Sequence, residues 1–371
     1  MTTSEELRSR RAIAGSNLSM LNDGPGQALS RAEDDLPRRV AVATRPRLGV
    51  GQWFHYQEEE TLDRAVQLLH ELGVRDVRTG VSWADYHRPQ GKAWYRRQME
   101  RLSEFNVLLS IWHTPPSIAE GGVCNGPPRR LRDFADFVNH ICQEYGEHFD
   151  EVELWNEPNN RYKWDFEQFD PKWRKFGAMI VDAAHWVQRI GRRSVLGGMI
   201  PVDPSWLELM ASYGALEHID VVAIHGFPGM WWADAPNWDW YHTWNGWDGK
   251  IAQIRTVAGD RPIWITETGL ATWDLHSGRP ERHAFQVERL QDAARAPAER
   301  VYWYSLIDLD PQRSAIEGFH VDENEYHLGL VDWKGNRKPA YDVFAELLRD
   351  PQRATGPSAR EVRALRRRRT A

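Results

Sequence analysis

The sequence predicts a single (β/α)8 barrel, an α/β fold, because short apolar runs alternate with amphipathic segments between residues 46 and 350. Continuous apolar runs are typical of parallel strands that are buried on both faces. An open, doubly wound sheet is the alternative, but the first strand leads into Gly51–His55, which is neither a GxGxxG turn nor a P-loop. The eight candidate strands are Leu48–Trp53, Val74–Thr79, Val107–Trp112, Glu151–Trp155, Ser194–Met199, Ile219–His225, Ile263–Glu267 and Val301–Leu306.

Helical periodicity marks several of the segments between these strands. In Glu59–Leu72 the side chains of Leu62, Val66 and Leu69 fall on one face, and Gly73 follows as a typical helix terminator. Eight strand–helix units in about 300 residues match the size of a closed barrel. The further helices predicted in this way are Leu131–Tyr145, Trp173–Ile190 and Pro339–Leu348.

The two ends of the chain lack this alternation. Residues 1–45 mix Gly, Ser, Asp and Arg without periodicity, which predicts a flexible or loosely docked N-terminal arm. Residues 351–371 contain Arg366–Arg369 and predict a basic C-terminal tail, with a solvated tail as the simpler interpretation and nucleic-acid contact as the alternative. Residues 46–350 are therefore predicted to form one barrel domain that carries the functional site.

The bulk composition narrows the function classes. The formal net charge is −6, so the chain as a whole gives no support to nucleic-acid binding. No run approaches the roughly 18 apolar residues of a membrane span. Met1–Met20 lacks the apolar core of a secretory signal, so we expect a cytoplasmic protein without a membrane partner. The spacing of Cys124 and Cys142 predicts neither a disulfide nor a metal cluster, no cofactor is expected, and the oligomeric state is not predicted.

The functional side chains of a barrel lie at the carboxyl ends of its strands. Glu157 follows the fourth candidate strand and Glu267 ends the seventh, so we expect the two carboxyl groups to converge at the barrel mouth. Hydrolysis of a glycosidic bond needs such a pair. One carboxyl protonates the leaving oxygen, and the other attacks the anomeric carbon or activates a water. A capping or salt-bridge role is the alternative for either residue alone.

The residues around these glutamates resemble a known group of enzymes. The segment Val152–Asn159 is similar to the strand-4 Asn-Glu-Pro signature of clan A glycoside hydrolases, and Trp264–Gly269 resembles their strand-7 nucleophile signature. The resemblance extends from Pro46 to Leu348 and is nearest to the β-xylosidase-like family 39 group. It implies a retaining glycosidase that cleaves an equatorial linkage, such as that of a β-D-glycoside, a β-xyloside or an α-L-arabinoside.

The same resemblance implies a role for each matching residue. Glu157 matches the general acid/base of the clan, and Glu267 matches the nucleophile. Asn156 matches the residue that binds the sugar 2-hydroxyl, and Arg78 matches the arginine that keeps the nucleophile ionised. The residues that the resemblance places against the sugar at the cleaved bond are His113, His225 and Trp303, the last as the floor of the site.

The end of strand 6 departs from this pattern. Many clan members have His-x-Tyr there, and the tyrosine hydroxyl contacts the nucleophile, whereas this chain has His225-Gly226-Phe227. Tyr241 and Tyr304 are the candidates to replace the missing hydroxyl, and the alternative is a nucleophile that is tuned without it. The departure bears on the substrate more than on the reaction.

Tryptophan is concentrated near the predicted site. Six of the 19 tryptophans lie in the loop after strand 6, among them Trp231 and Trp232, and Trp53 ends the first strand. Aromatic rings offer flat apolar faces to a sugar, so we expect these three residues to bind substrate. Packing of the long loop against itself is the alternative.

A glycosidase whose partner is an oligosaccharide or a glycoside is therefore the leading hypothesis. The alternative is a catalytically weak carbohydrate-binding barrel, which needs the loss of one glutamate, whereas both are present. A metal-dependent hydrolase or an aldolase needs clustered histidine ligands or a strand-end lysine, and the eight strand ends supply neither. No metal is therefore predicted.

Overall fold

The computed structural model describes residues 45–230, 244–273, 281–312 and 323–349. Eight parallel strands form a closed barrel in chain order, and the last strand pairs with the first. The predicted barrel is confirmed, and every candidate strand is present to within three residues at either end. The strands are β1 (Arg47–Gly51), β2 (Asp76–Ser82), β3 (Asn106–Trp112), β4 (Phe149–Leu154), β5 (Arg193–Met199), β6 (Val221–His225), β7 (Ile263–Thr268) and β8 (Arg300–Tyr304).

Ten α-helices occur in the described part of the chain. The four helices predicted from periodicity are among them, each to within one residue at either end. The helices are α1 (Glu59–Leu72), α2 (Trp83–Tyr86), α3 (Gly91–Leu102), α4 (Arg132–Tyr145), α5 (Phe166–Phe169), α6 (Arg174–Arg189), α7 (Pro204–Ser212), α8 (Gly246–Ala258), α9 (Glu281–Ala293) and α10 (Pro339–Arg349).

Helix α1 illustrates how local chemistry fixes these elements. Glu59 and Glu60 lie in its first turn, where the positive end of the helix dipole stabilises acidic side chains. The helix ends at Gly73, whose φ of 76° lies in the left-handed region that glycine adopts without a steric penalty. The apolar stripe of α1 is buried against the barrel wall, because that is where the helix removes its leucines from water.

Side chains on successive strand residues point alternately into the barrel and towards the helices. One small apolar cluster lies inside the barrel, whereas the alternate residues, such as Leu109, Val222 and Val301, pack in a much larger core against the helices. This alternation decides which side chains reach the site. The interior cluster consists of Leu108, Val195, Val221, Ala223, Trp264 and Tyr302.

Parts of the predicted organisation fall outside the described residues. The N-terminal arm, except for Arg45, and the whole C-terminal tail lie there, so their boundaries stay predictions. Within the four described stretches, no helix has the length and apolar character needed to cross a bilayer. Cys142 is buried on α4, as its position on the apolar face predicts, and both cysteines are free thiols.

Candidate active site

Two glutamates meet at the carboxyl ends of the strands. Glu157 lies three residues past β4, and Glu267 is the penultimate residue of β7. Both side chains are buried, with residue exposures of 7% and 5%. One carboxylate oxygen from each lies within 4.8 Å of the other and of a ring nitrogen of His225. The barrel therefore brings the two glutamates predicted from the sequence into one cluster.

Arg78 points inward from β2 and contacts three of its neighbours in this cluster. Its Nη1 donates a hydrogen bond to Oε1 of Glu267, and its Nη2 donates to Oδ1 of Asn156 at 2.7 Å. Its Nε donates to Oε2 of Glu153 at 2.7 Å. Burial lowers the pKa of Arg78, but the charges of Glu153 and Glu267 outweigh burial and raise it above its ordinary value. The guanidinium is therefore a permanent cation beneath Glu267 and Asn156.

Trp53, two residues past β1, approaches Glu267 from the other side. Its Nε1 donates to Oε1 of Glu267 at 3.2 Å, and the Arg78 guanidinium lies 5.1 Å from its ring centroid. The indole crosses β2 at Gly80, where a Cβ would come within 1.7 Å of the ring. Only glycine permits so close an approach. Trp53 thus contacts the carboxylate directly, in addition to any role as a sugar platform.

His225 lies between the two carboxyl groups at the end of β6. Its Nδ1 is 3.0 Å from Oε1 of Glu157 and 3.5 Å from Oε2 of Glu267. Its Nε2 is 2.9 Å from Oγ1 of Thr266, which fixes the ring from behind. The ring packs over Gly198, where a Cβ would come within 2.1 Å of it. The imidazole is therefore locked in a position from which it reaches both acidic groups.

The surroundings of Glu157 favour its ionised form. Burial raises the pKa of the Glu157 carboxyl, but His225 lowers it through a hydrogen bond and through its charge. The charge of Lys163 and a hydrogen bond of 3.1 Å from Nδ2 of Asn160 act in the same direction. The net effect is a pKa below the usual range for glutamate.

Backbone strain is concentrated at this end of the barrel. His113, Trp155 and Glu157 have φ values of 66°, 75° and 47°, in the left-handed region that costs non-glycine residues about 1–3 kcal/mol. The strain is held in place by packing, since Trp155 is fully buried and its Nε1 donates to the carbonyl of Lys163 at 3.0 Å. Strain of this kind is typical of segments that aim side chains at a functional site.

His113 follows β3 and belongs to an aromatic wall. Its ring stacks on Trp112 with centroids 3.7 Å apart, and Trp112 lies 5.7 Å from Trp53. Burial, aided by the charge of Lys163, lowers the pKa of His113 to about 3. The imidazole is therefore neutral at physiological pH, and the wall presents uncharged rings that continue to the Trp53 contact with Glu267.

The structure does not bring Trp303 to the site, which corrects the prediction that it forms the floor. Trp303 pairs with Val50 and points outward into the core beneath the helices, with 1% exposure. Its neighbour Tyr302 belongs to the interior cluster, so alternation turns Tyr304 inward as well. Tyr304 pairs with Gly51 on β1.

Tyr304 lies next to Phe227, the residue that takes the place of the strand-6 tyrosine. Its ring meets that of Phe227 edge to face, with centroids 6.3 Å apart. Burial raises the pKa of Tyr304 well above its ordinary value, and the carboxylates of Glu325 and Glu267 act in the same direction. The phenol therefore stays protonated beside the cluster. Tyr241, the other candidate, lies outside the described residues.

The tryptophan-rich loop after β6 is described only at its end. Trp231 and Trp232 lie outside the described residues, so their role stays a prediction. Trp244 and Trp247 are described, and their rings meet edge to face with centroids 5.0 Å apart. Trp247 is buried and Trp244 packs against the same core. For these two indoles the packing interpretation holds.

Glu157, His225 and Glu267 are close enough together to hold a metal ion. The contacts of the cluster are those of an ion-pair network, because Arg78 already donates to Glu267 and Trp53 shares the same oxygen. A metal ion would have to compete with that permanent cation. The prediction that the site needs no metal stays a prediction.

The fold is shared with solved glycoside hydrolases. A family 39 glycoside hydrolase from the gut symbiont Bacteroides cellulosilyticus WH2 is 16% identical, with a TM-score of 0.52 over 82% of this chain and 64% of that one. A GH39 β-xylosidase from Caulobacter crescentus is 18% identical, with a TM-score of 0.56 over 82% and 71%. A GH5_18 protein from Bifidobacterium longum subsp. infantis is 18% identical, with a TM-score of 0.62 over 82% and 79%.

These similarities lie at the level of the fold. The chain spans less than two thirds of the length of the first of these proteins. No protein-family model matches the chain, and no curated protein matches it. The resemblance to clan A barrels, including the family 39 group, is therefore confirmed for the fold.

Three residues around the cluster escaped the sequence reasoning, and a fourth, Tyr304, was predicted only as a replacement for the missing hydroxyl. Glu153 and Trp112 lie on strands and point inward, so alternation along β3 and β4 could have identified them. Tyr304 needed the strand register, which an apolar run does not reveal. Lys163 is positioned by the turns of a loop, for which the sequence offers no periodic signal.

Proposed function

We propose that this protein is a retaining glycoside hydrolase that cleaves an equatorial glycosidic bond by double displacement. The observation that carries the proposal is the pair Glu157 and Glu267, whose nearest carboxylate oxygens lie within 4.8 Å. Retaining glycosidases hold the two carboxyl groups about 5–5.5 Å apart, and inverting ones about 6.5–9.5 Å apart to admit a water. The spacing supports the shorter class.

In the first step Glu267 attacks the anomeric carbon and forms a glycosyl ester, while Glu157 gives its proton to the departing oxygen. In the second step Glu157, now a carboxylate, takes a proton from a water as that water attacks the same carbon and releases Glu267. The carbon is inverted twice, so the product keeps the configuration of the substrate.

The neighbouring groups suit these two roles. Arg78 and Trp53 both donate hydrogen bonds to Oε1 of Glu267, which holds that oxygen in place and directs Oε2 to the substrate. Asn156, oriented by Arg78, presents its amide to the sugar 2-hydroxyl. His225 contacts both carboxyl groups through Nδ1 and so holds them in fixed positions relative to each other.

The substrate class rests on the fold neighbours. Among them are a β-xylosidase and a β-glucosidase, and both names refer to β-glycosides. The neutral wall of Trp53, Trp112 and His113 suits an uncharged sugar face. We therefore propose β-D-glycosides, β-xylosides and α-L-arabinosides as the substrates to examine first.

A screen of aryl glycosides with the purified chain tests the proposal. We expect turnover of at least one equatorial glycoside, and ¹H NMR of the first product formed should show the anomer of the substrate. Initial release of the opposite anomer would show that the enzyme inverts the configuration and would rule out the double displacement. Binding of sugars without turnover of any glycoside would favour the alternative, a carbohydrate-binding barrel.

The mechanism as proposed needs no metal. We expect the chain dialysed against EDTA to keep its full turnover, measured on the best aryl glycoside with and without added Zn²⁺. Loss of turnover on dialysis and recovery with Zn²⁺ would show that Glu157, His225 and Glu267 act as metal ligands instead.

A further inference from the structure

A third carboxylate lies in the cluster, and the mechanism above does not use it. Glu153 lies on β4 four residues before Glu157, and its side chain points into the barrel with no measurable exposure. An ionised carboxylate removed from water is strongly destabilising unless a cation and hydrogen bonds compensate for it. The residue that compensates for Glu153 is Arg78.

Two nitrogens of Arg78 approach the same oxygen of Glu153. Oε2 of Glu153 accepts a hydrogen bond from Nε of Arg78 at 2.7 Å and forms an ion pair with Nη2 at 2.5 Å. Oε1 of Glu153 has no hydrogen-bond partner among the described residues. The guanidinium is planar and rigid, so a carboxylate held along its Nε–Nη2 edge fixes the direction of the remaining Nη1. That Nη1 is the group that donates to Glu267.

The charges of the three groups do not balance. Arg78 is buried, with 1% exposure, and one guanidinium serves both Glu153 and Glu267. No other ion pair with Glu153 occurs in the described stretches. A cation shared between two buried carboxylates stabilises each of them less than it would stabilise one alone.

We propose that Glu153 is a positioning residue for the nucleophile, a role that rests on the proposed function. It holds the Arg78 guanidinium so that Nη1 faces Glu267, and it takes up part of the positive charge. The Glu267 carboxyl is thereby held in place without being so strongly stabilised that its attack on the anomeric carbon is slowed. The reaction gains in both orientation and nucleophile strength.

The test is the variant Glu153→Gln, which keeps the side-chain volume and removes the charge. We expect the rate of glycosyl-enzyme formation, measured in the pre-steady state with a dinitrophenyl glycoside, to fall about 10- to 100-fold, as expected for a misdirected reacting group. The dissociation constant of the substrate, obtained from the same pre-steady-state measurement, should change little, because Glu153 does not touch the substrate. Glu153→Asp keeps the charge but moves it away from Arg78. Its rate of glycosyl-enzyme formation should therefore also fall, but by less than that of Glu153→Gln.

Glu151→Gln is the matched control. Glu151 is two residues away on the same strand, also points inward and is also buried, but its partner is Arg300 at the opposite end of the barrel. This variant should keep the wild-type rate of glycosyl-enzyme formation. If a folded Glu153→Gln forms the glycosyl-enzyme as fast as the wild type, the proposal is overturned. It is also overturned if Glu153→Gln and Glu151→Gln both lose rate in proportion to their loss in the free energy of unfolding.

A second measurement does not depend on catalysis. The Nε–H resonance of Arg78 in ¹⁵N-labelled protein, assigned by its absence in Arg78→Lys, should shift in Glu153→Gln and stay in place in Glu151→Gln. An unmoved resonance in Glu153→Gln overturns the positioning role. If the wild type hydrolyses no glycoside, the proposed function fails, whereas the resonance still decides whether Glu153 holds Arg78.

Discussion

The two ends of the barrel interior contain the same kinds of side chain in opposite balance. At the amino ends of the strands the cations are in excess. Asp76 pairs with Arg47 and lies 3.8 Å from Arg300, and Glu151 lies 2.8 Å from Arg300 and 3.9 Å from Arg193. Three arginines thus compensate for two carboxylates, and two of the arginines also stack on Trp264.

At the carboxyl ends the acids are in excess. Glu153 and Glu267 share one arginine, Arg78. Glu157 instead contacts His225 and lies near the charge of Lys163. Carboxylates that are surrounded by several cations form a compensated, stabilising network. Carboxylates that have fewer cations than negative charges are less fully compensated, which is typical of functional sites. We therefore interpret the amino-end groups as a stabilising network and the carboxyl-end groups as the candidate reactive one.

The largest expected effect follows from removing the nucleophile. Glu267→Ala should lower kcat on every active aryl glycoside by more than about 10⁴-fold, since both chemical steps pass through this carboxylate. Added azide should at best enter the vacated space and yield a glycosyl azide of inverted configuration. The measurement is product release with and without azide, followed by NMR of the product. Near wild-type turnover in this variant would remove Glu267 from the mechanism.

Glu157→Ala should have a smaller effect that depends on the leaving group. For a poor leaving group, loss of the general acid should cost about 10²–10⁴-fold in kcat/KM. For a dinitrophenyl leaving group the first step should persist and the glycosyl-enzyme should accumulate, because no base activates water. Azide should relieve that stall and give a glycosyl azide of retained configuration. A glycosyl azide of inverted configuration from this variant would mean that Glu157 is the nucleophile and that the roles assigned to the two glutamates are reversed.

The fold was predictable because most strands of the barrel contain an apolar run and the longer helices have an amphipathic period. The placement of Glu157 and Glu267 followed from the rule that strand ends carry the chemistry, and that of Arg78 from the resemblance. The choice between Trp303 and Tyr304 did not follow, because Tyr302, Trp303 and Tyr304 are three successive aromatic residues whose order is compatible with either parity. A register shift in the pairing of β7 with β8 further changes which residues lie side by side, and an apolar run does not reveal such a shift.

Loops limited the prediction more than strands did. Lys163 reaches the site because Glu157–Trp164 folds back in successive turns, with the amides of Lys163 and Trp164 both donating to the carbonyl of Asn160. Trp164 is fully buried and anchors the far end of the segment. The burial of Trp164 fixes where this segment ends and so keeps it beside Glu157. Such a long-range contact is not encoded in local propensity.

Lys163 supplies the next prediction, a shift in pH dependence. Glu157 must be protonated to act as acid, so its lowered pKa means that kcat/KM on a poor leaving group falls as pH rises, beginning at acidic pH. Lys163→Met removes one cation that lowers this pKa, so the decline should move to higher pH. The groups that act on or contact Glu157 are His225, Glu267, Asn160, Lys163 and Tyr304.

The size of this effect distinguishes tuning from catalysis. At any one pH, Lys163→Met should change kcat/KM by less than about tenfold, well short of the loss expected for the acid itself. Lys163→Arg should keep the wild-type profile, because the charge over Trp112 is retained. Lys172→Met, an exposed lysine outside the cluster, is the control for net charge. A profile that is the same in Lys163→Met and the wild type contradicts the assignment.

The smallest expected effect on turnover comes from the amino end of the barrel. Glu151→Gln leaves the Arg300 guanidinium with a neutral partner at 2.8 Å and Asp76 at 3.8 Å, so the network weakens without an unpaired carboxylate. Removing one partner of a buried hydrogen-bonded pair costs about 1–3 kcal/mol, which we expect as a loss in the free energy of unfolding in urea. The kcat on aryl glycosides should stay within twofold of the wild type, an estimate of about 0.4 kcal/mol at the transition state. A loss of kcat similar to that of Glu153→Gln would mean that the two ends of the barrel are energetically coupled, and the contrast between a stabilising and a reactive network would not hold.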